Sequence, residues 1–344
     1  MAPDPGYRRA DALVDLGRHD DARAELASVL AREPQWTAAW CLLSYTERMA
    51  GDNAAALEAA DRAIGTDPAS PTAHRLRAAS LDGLGRRAEA VSSAREAVRL
   101  GPLDWSTHLV LANILVRLIE RPIFRGRRRT IAEARAAAGR AVELAPEEPA
   151  PHVTRGMLAG ARGRHRQAAA GYREALRLDP NYLPAVYHLA ASQARRGSVV
   201  RAATGYAAVL GSDPSFEAAR RGIDALFEQI VRKGQLLVLG CLALTRAMFV
   251  TDVTRVAAGV LTVLVWWPVW RIGARLPEHL RRRASRDVPL VCSAVALAAA
   301  PVSAWVPEQA GEVVWAAAFL VWGIGLGVAS TRRSVWFKIL RGKR

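Results

Sequence analysis

Three histidines and a cluster of five arginines are the residues of this 344-residue chain whose types and spacing could do chemistry. His74, His108 and His152 each stand six residues after a proline, which suggests a ladder of metal ligands. Two ligands of one zinc must each approach it to about 2 Å, whereas equivalent side chains on successive packed helix pairs stand on the order of 10 Å apart. A shared metal is therefore not expected, and the histidines read as packing residues. Arg121, Arg125, Arg127, Arg128 and Arg129 surround Pro122, Ile123, Phe124 and Gly126. Such a cluster could hold an anion, either lipid headgroups at about 1 kcal/mol per basic residue or a partner's acidic segment; it could equally be a solvated loop. RNA is the poorer fit, because only Phe124 interleaves the arginines and no reading module is present. Neither a Ser/His/Asp set nor a carboxylate pair emerges, and Arg125-Gly126 lacks the lysine and hydroxyl of a phosphate loop. Cys41, Cys241 and Cys292 have no spacing of a metal knuckle or redox pair. No catalytic residue, metal or cofactor is expected, and the chain is not read as an enzyme.

The elements that must position these residues follow from prolines at 34, 68, 102, 146, 180 and 214, spaced 34, 34, 44, 34 and 34 apart. A near-constant period of that size predicts a repeat array of short antiparallel helix pairs, with the proline between units. Fixed offsets test the register. Twelve residues before each proline stand Ala22, Ala56, Ala90, Ala134, Ala168 and Ala202, small enough for close helix approach. Seventeen before stand Gly17, Gly51, Gly85, Gly163 and Gly197, where a glycine can end the first helix in a left-handed turn. The fourth unit has Arg129 instead and carries an arginine-rich insertion of ten residues near 120–130. Five before the prolines come Val29, Ala63, Ala97, Ala141, Ala175 and Val209.

The second unit reads Trp40, Leu43, Ser44, Ala56, Ala60, Ala63, Pro68, and the fifth and sixth add Tyr172 and Tyr206 between their alanines. This pattern resembles the tetratricopeptide repeat family over residues 4–216. The resemblance implies an all-α helical-repeat solenoid of about six helix pairs, a superhelix whose concave face binds a protein or peptide, and no catalysis. The same register predicts the groove lining at seven and eleven residues after each proline. Tyr7, Tyr45, Arg75, Leu109, Asn113, Met157 and Tyr187 are the candidate partner-binding residues, with Cys41 and Val153 in the same rows. The mixture suits an extended or helical peptide. It departs from the family's chaperone-type members, whose several Lys, Arg and Asn residues clamp a terminal carboxylate.

Beyond a capping or linker helix at 217–232 the composition changes. Residues 1–232 hold 27 of the 32 acidic residues, and four apolar stretches follow at 236–250, 253–270, 288–306 and 313–329. Each is about long enough for a tilted span. Trp266, Trp267, Trp270, Trp305 and Trp315 cluster at their ends as an aromatic belt would. Four transmembrane helices within 233–330 are therefore expected, and a basic tail at 331–344. Arginines 271, 275, 281, 282, 283 and 286 and the tail should be cytoplasmic; the loop with Glu308, Gln309 and Glu312, which has no basic residue, should face out. An even number of spans returns the N-terminus to the cytoplasm, and the opening residues have no apolar core to direct export. Arg246, inside the first span, is expected to snorkel or to pair with Asp252. The net charge of +16 divides into 33 basic against 27 acidic residues through position 232 and 15 against five beyond it, so topology explains most of the excess. Residues 1–68 hold seven arginines and twelve acids, while 117–221 hold nineteen and nine: an acidic front and a basic rear. The expected function is a membrane-anchored adaptor or scaffold at the inner membrane, with integral membrane contact and anionic lipid as a further partner. A regulatory subunit of a transport or channel complex, or an anionic-polymer binder acting through the arginine loop, is the alternative.

Overall fold

Each boundary proline sits second in a hydrogen-bonded turn. The amide of Trp36 donates to the Glu33 carbonyl, and the same bond joins Ser70 to Asp67, Asp104 to Gly101, Glu148 to Ala145, Tyr182 to Asp179 and Phe216 to Asp213, all at 3.2–3.3 Å. Proline's fixed φ suits that position, and its missing N–H removes no bond there. The computed structural model describes residues 4–120, 127–226 and 229. The turns divide it into helices α1 (Pro5–Asp15), α2 (His19–Arg32), α3 (Thr37–Ala50), α4 (Asn53–Thr66), α5 (Pro71–Gly83), α6 (Arg87–Leu100), α7 (Trp105–Ile119), α8 (Arg127–Leu144), α9 (Pro149–Ala161), α10 (His165–Leu178), α11 (Leu183–Arg195) and α12 (Val199–Ser212). Residues 217–226, the start of the expected linker helix, are helical as well, and the described residues contain no strand.

Within a pair, the turn rests on one glycine. Gly17, Gly51, Gly85, Gly163 and Gly197 have φ between 71° and 91°, the left-handed conformation that a Cβ disfavours. The fourth pair lacks this glycine and is built otherwise. Helix α7 closes on Glu120, and α8 begins at Arg127 and runs 18 residues, one turn more than the 14 of α2, α4, α6, α10 and α12. Arg129 thus lies in a helix, not a turn.

The chain forms two compact units, residues 1–188 and 189–344, divided inside α11. In the first, consecutive helices from α1 to α10 pack together, and α1 also packs on α3, α3 on α5, α5 on α7 and α7 on α9. The odd helices make one layer and the even helices the other. The alanine row at Ala22, Ala56, Ala90, Ala134 and Ala168, and the row at Val29, Ala63, Ala97, Ala141 and Ala175, fill the seam and are at most 1% exposed. Approach is close at Gly156, where an added Cβ would stand 2.5 Å from the Tyr172 ring. Among the described residues, the largest apolar cluster joins Leu81, Leu111, Ile114, Leu115 and Ile119 to Ala90, Ala94 and Ala138, each large side chain contributing roughly 1.5–3 kcal/mol by its burial. In the second unit Ala202, Tyr206 and Val209 of α12 are buried.

Among the described residues no helix is long and apolar enough to cross a membrane. The four expected spans, Arg246 and the 331–344 tail lie outside the described residues.

Candidate functional site

The odd-helix layer presents a pocket of about 440 Å³ among α1, α3, α5 and the turn before α5. Three of the expected groove residues meet there. Tyr7 comes from α1, Tyr45 from α3 and Arg75 from α5, with Cys41 and Ser70 beside them. Their spacing explains the meeting: residues seven and eleven after a proline lie one turn apart on the same helix face, and equivalent odd helices are in contact.

The Tyr7 ring packs on Trp36, with centroids 4.8 Å apart and planes tilted by 32°. Burial, followed by the charges of Asp11 and Cys41, pushes the Tyr7 hydroxyl pKa up, so it remains a hydrogen-bond donor at neutral pH. Tyr45 is exposed, and the Arg48 guanidinium stands over its ring at 5.4 Å from the centroid, a cation–π contact worth about 0.5–1 kcal/mol in the open. Burial first, and then the charges of Arg75 and Arg117, hold Arg48 below the ordinary arginine range, while Tyr45 opposes the shift. The buried Nε atoms of Arg48 and Arg75 have no hydrogen-bond partner among the described residues. An unsatisfied buried N–H costs about 1–3 kcal/mol; what the pocket itself offers a ligand is the Arg75 side chain, with the Asp67 carboxylate in the same lining. Cys41 is no nucleophile. Burial pushes its thiol up to about 11, despite the opposing influence of Arg75 and Ser70. Arg48 was not foreseen, although its place three residues after Tyr45, one helical turn on, was the available signal.

The remaining groove residues lie further along. Leu109 on α7 is half-buried. Asn113 already accepts a 2.8 Å hydrogen bond at Oδ1 from Thr154, which ties α7 to α9. Met157 packs partly against the main apolar cluster. Tyr187 lies edge-on to His188, with centroids 5.0 Å apart, and His188 stacks on Tyr172 at 5.5 Å. Of the arginine cluster, Arg127, Arg128 and Arg129 are exposed in the first turn of α8, with Arg127 donating to the Ala161 carbonyl at 3.4 Å. Arg121 and Arg125 lie outside the described residues.

The histidines need a correction. They do not merely pack: Nε2 of His74, His108 and His152 approaches the carbonyl oxygens of Pro68, Pro102 and Pro146 at 3.1, 3.0 and 2.9 Å. A carbonyl only accepts, so Nε2 carries the proton. Trp40 does the same in its own unit, donating from Nε1 to the Pro34 carbonyl at 2.8 Å. The ring six residues after the proline thus clasps the turn that precedes its helix. Among the described residues no group of three or more His, Cys, Asp or Glu could hold a metal.

A family model described as tetratricopeptide repeat matches residues 7–71 and 153–215. No curated protein matches the chain. Among solved structures, the chain is similar to TTC0263, a thermophilic protein of this repeat type from Thermus thermophilus, at 23% identity and a TM-score of 0.51, covering 56% of this chain and 99% of that one. It is also similar to a human IFIT1 dimer with PPP-AAAA, at 16% identity and a TM-score of 0.54, over 66% of this chain and 55% of that one. For the APC/C hetero-tetramer Cut9–Hcn1 the values are 15% and 0.54, over 64% of this chain and 42% of that one. At these identities the likeness concerns the fold.

Proposed function

We propose that this chain, a member of the tetratricopeptide-repeat family by its two matched segments, is a membrane-anchored adaptor that holds a protein partner in the odd-helix groove. The family fold serves as a protein-interaction scaffold, and the proposed activity is binding, not turnover. The observation that carries the reading is the α1–α3–α5 pocket. The Arg75 guanidinium, the Tyr45 face and the Tyr7 hydroxyl line it together with Asp67 and Leu42, and suit a peptide segment that carries an acidic side chain for Arg75 among apolar ones. Anchoring is supported by the apolar stretches at 236–250, 253–270, 288–306 and 313–329 with their tryptophans and basic flanks. The array then stands on the cytoplasmic side of the inner membrane.

The test is site-specific photocrosslinking in cells with the full chain, with the reactive residue at Tyr45 or, as a control, at exposed Arg140 on α8. One protein should crosslink from Tyr45 and not from Arg140, and an Arg75→Gln change should lose it while helicity is unchanged. The same products from both sites, or capture that survives Arg75→Gln, would remove the pocket from the function.

A further inference from the structure

Helix α9 carries opposite charges at its two ends. Glu147 and Glu148 precede it, Arg162 and Arg164 follow it, and its 13 residues separate them by about 20 Å. Helix α10 returns from Arg164 and Arg166 to Asp179, and α8 brings Arg127, Arg128 and Arg129 to the arginine end. The juxtaposition is physical, since Arg127 donates to the carbonyl of Ala161, the last residue of α9. The charges of Arg164 and Arg135 add to burial in holding Arg162 below its ordinary range. The acids of α8 and α10 are paired with other arginines, Glu133 with Arg95, Glu143 with Arg140 and Glu174 with Arg177, and of the edge arginines Arg129 also feels one of them, Glu133.

Except for Arg162, which caps the C-terminus of α9, these arginines also sit at the wrong end of their helices. The start of a helix favours anions, and α2 and α6 follow the rule with Asp20, Asp21 and Glu89 in their first turns. Helices α8 and α10 have no acid there and open on arginines instead. Amide donors and guanidinium groups therefore converge on one edge, an arrangement that suits phosphate.

We propose that this edge, built from Arg127, Arg128, Arg129, Arg162, Arg164 and Arg166, rests on the phosphates of anionic lipid headgroups. The proposal relies on the membrane-anchored reading above and adds an orientation, arginine edge toward the leaflet and Glu147–Glu148 edge away. A flat sheet of negative charge attracts one end of α9 and repels the other. Lipid fits better than RNA because, among the described residues, the edge offers no aromatic platform beyond His165 on which bases would stack.

The test uses the full chain in nanodiscs with or without anionic lipid. A fluorescent residue replaces exposed Gln167 at the arginine edge, or exposed Asn181 at the other, and a quencher is placed on the headgroups. Quenching is expected at position 167 alone, only in anionic discs, and it should be lost in an R162Q/R164Q/R166Q variant of unchanged helicity. Equal quenching at both positions, or quenching indifferent to lipid charge, would overturn the orientation. If the chain washes off discs in high salt, the anchored reading fails by itself. Sedimentation with anionic vesicles at low salt then decides the edge: about a hundredfold weaker binding by the triple variant supports it, and equal binding overturns it. Loss of RNA binding in the triple variant with vesicle binding intact would make the edge a nucleic-acid site and likewise overturn it.

Discussion

Burial governs the chemistry of Cys41. Its thiol is pushed up to about 11, so on raising the pH an unfolded chain ionises before the folded one does. The stability linked to this group is complete below the unfolded value near 9 and is lost as pH rises towards 11. Chemical denaturation should show a steeper fall in midpoint between pH 9 and 11 for the native chain than for Cys41→Ala. Tyr7, shifted the same way, accounts for part of the slope that remains; identical slopes would mean that the thiol is not buried. Glycines divide sharply at this scale. Gly85 sits at φ 77°, and Gly85→Ala should destabilise by about 1 kcal/mol. Gly139, inside α8 with open space where a Cβ would stand, should do the reverse, gaining about 0.5–1 kcal/mol as alanine. Thermal unfolding followed by circular dichroism distinguishes the two signs.

Helix pairs were legible in the sequence because a fixed offset must return the same side chain to the same place, as Ala22, Ala56 and Ala90 do. The ring clasp was not legible. An offset of six looks like an inner-face packing position, and only the path of the chain through the turn brings His108 Nε2 to the Pro102 carbonyl. The insertion was legible in length but not in form, since spacing counts residues and does not say that α8 gains a turn at its start. At the candidate site, Tyr7, Tyr45 and Arg75 followed from register, whereas Arg48 is off the seven-and-eleven pattern and enters by leaning over Tyr45. That Asn113 is held by Thr154 depends on a contact 41 residues away, which no periodicity reports. The clasp is open to direct test. His108→Phe keeps the ring and removes the donor, leaving the Pro102 carbonyl without it, and should cost about 1 kcal/mol. An unchanged midpoint would reduce the clasp to packing.

At the scale of the whole chain, charge and hydropathy work together. The acids concentrate in residues 1–232, leaving five for the remainder, and three of these, Asp252, Glu308 and Glu312, lie in the two segments expected to face out. Arginines near span ends bias which side a loop takes, while isolated acids contribute little. Residues 271–286 carry six arginines and the stretch at 307–312 carries none, which makes these two segments the discriminating pair. Single cysteines at Ser285 and Gln309, in a background without Cys241 and Cys292, should react with a membrane-impermeant thiol reagent from opposite faces of sealed vesicles. Ser285 should share its face with the repeats, whose side is reported by a further single cysteine at exposed Arg140. Were both cysteines to react from one face, the odd number of crossings between them would be wrong, and the arginine edge of α8–α10 would lose the leaflet assigned to it. Opposite faces with Ser285 away from the repeats would instead mean an odd number of spans before residue 285, and the first apolar stretch, interrupted by Arg246, would be the one that does not cross.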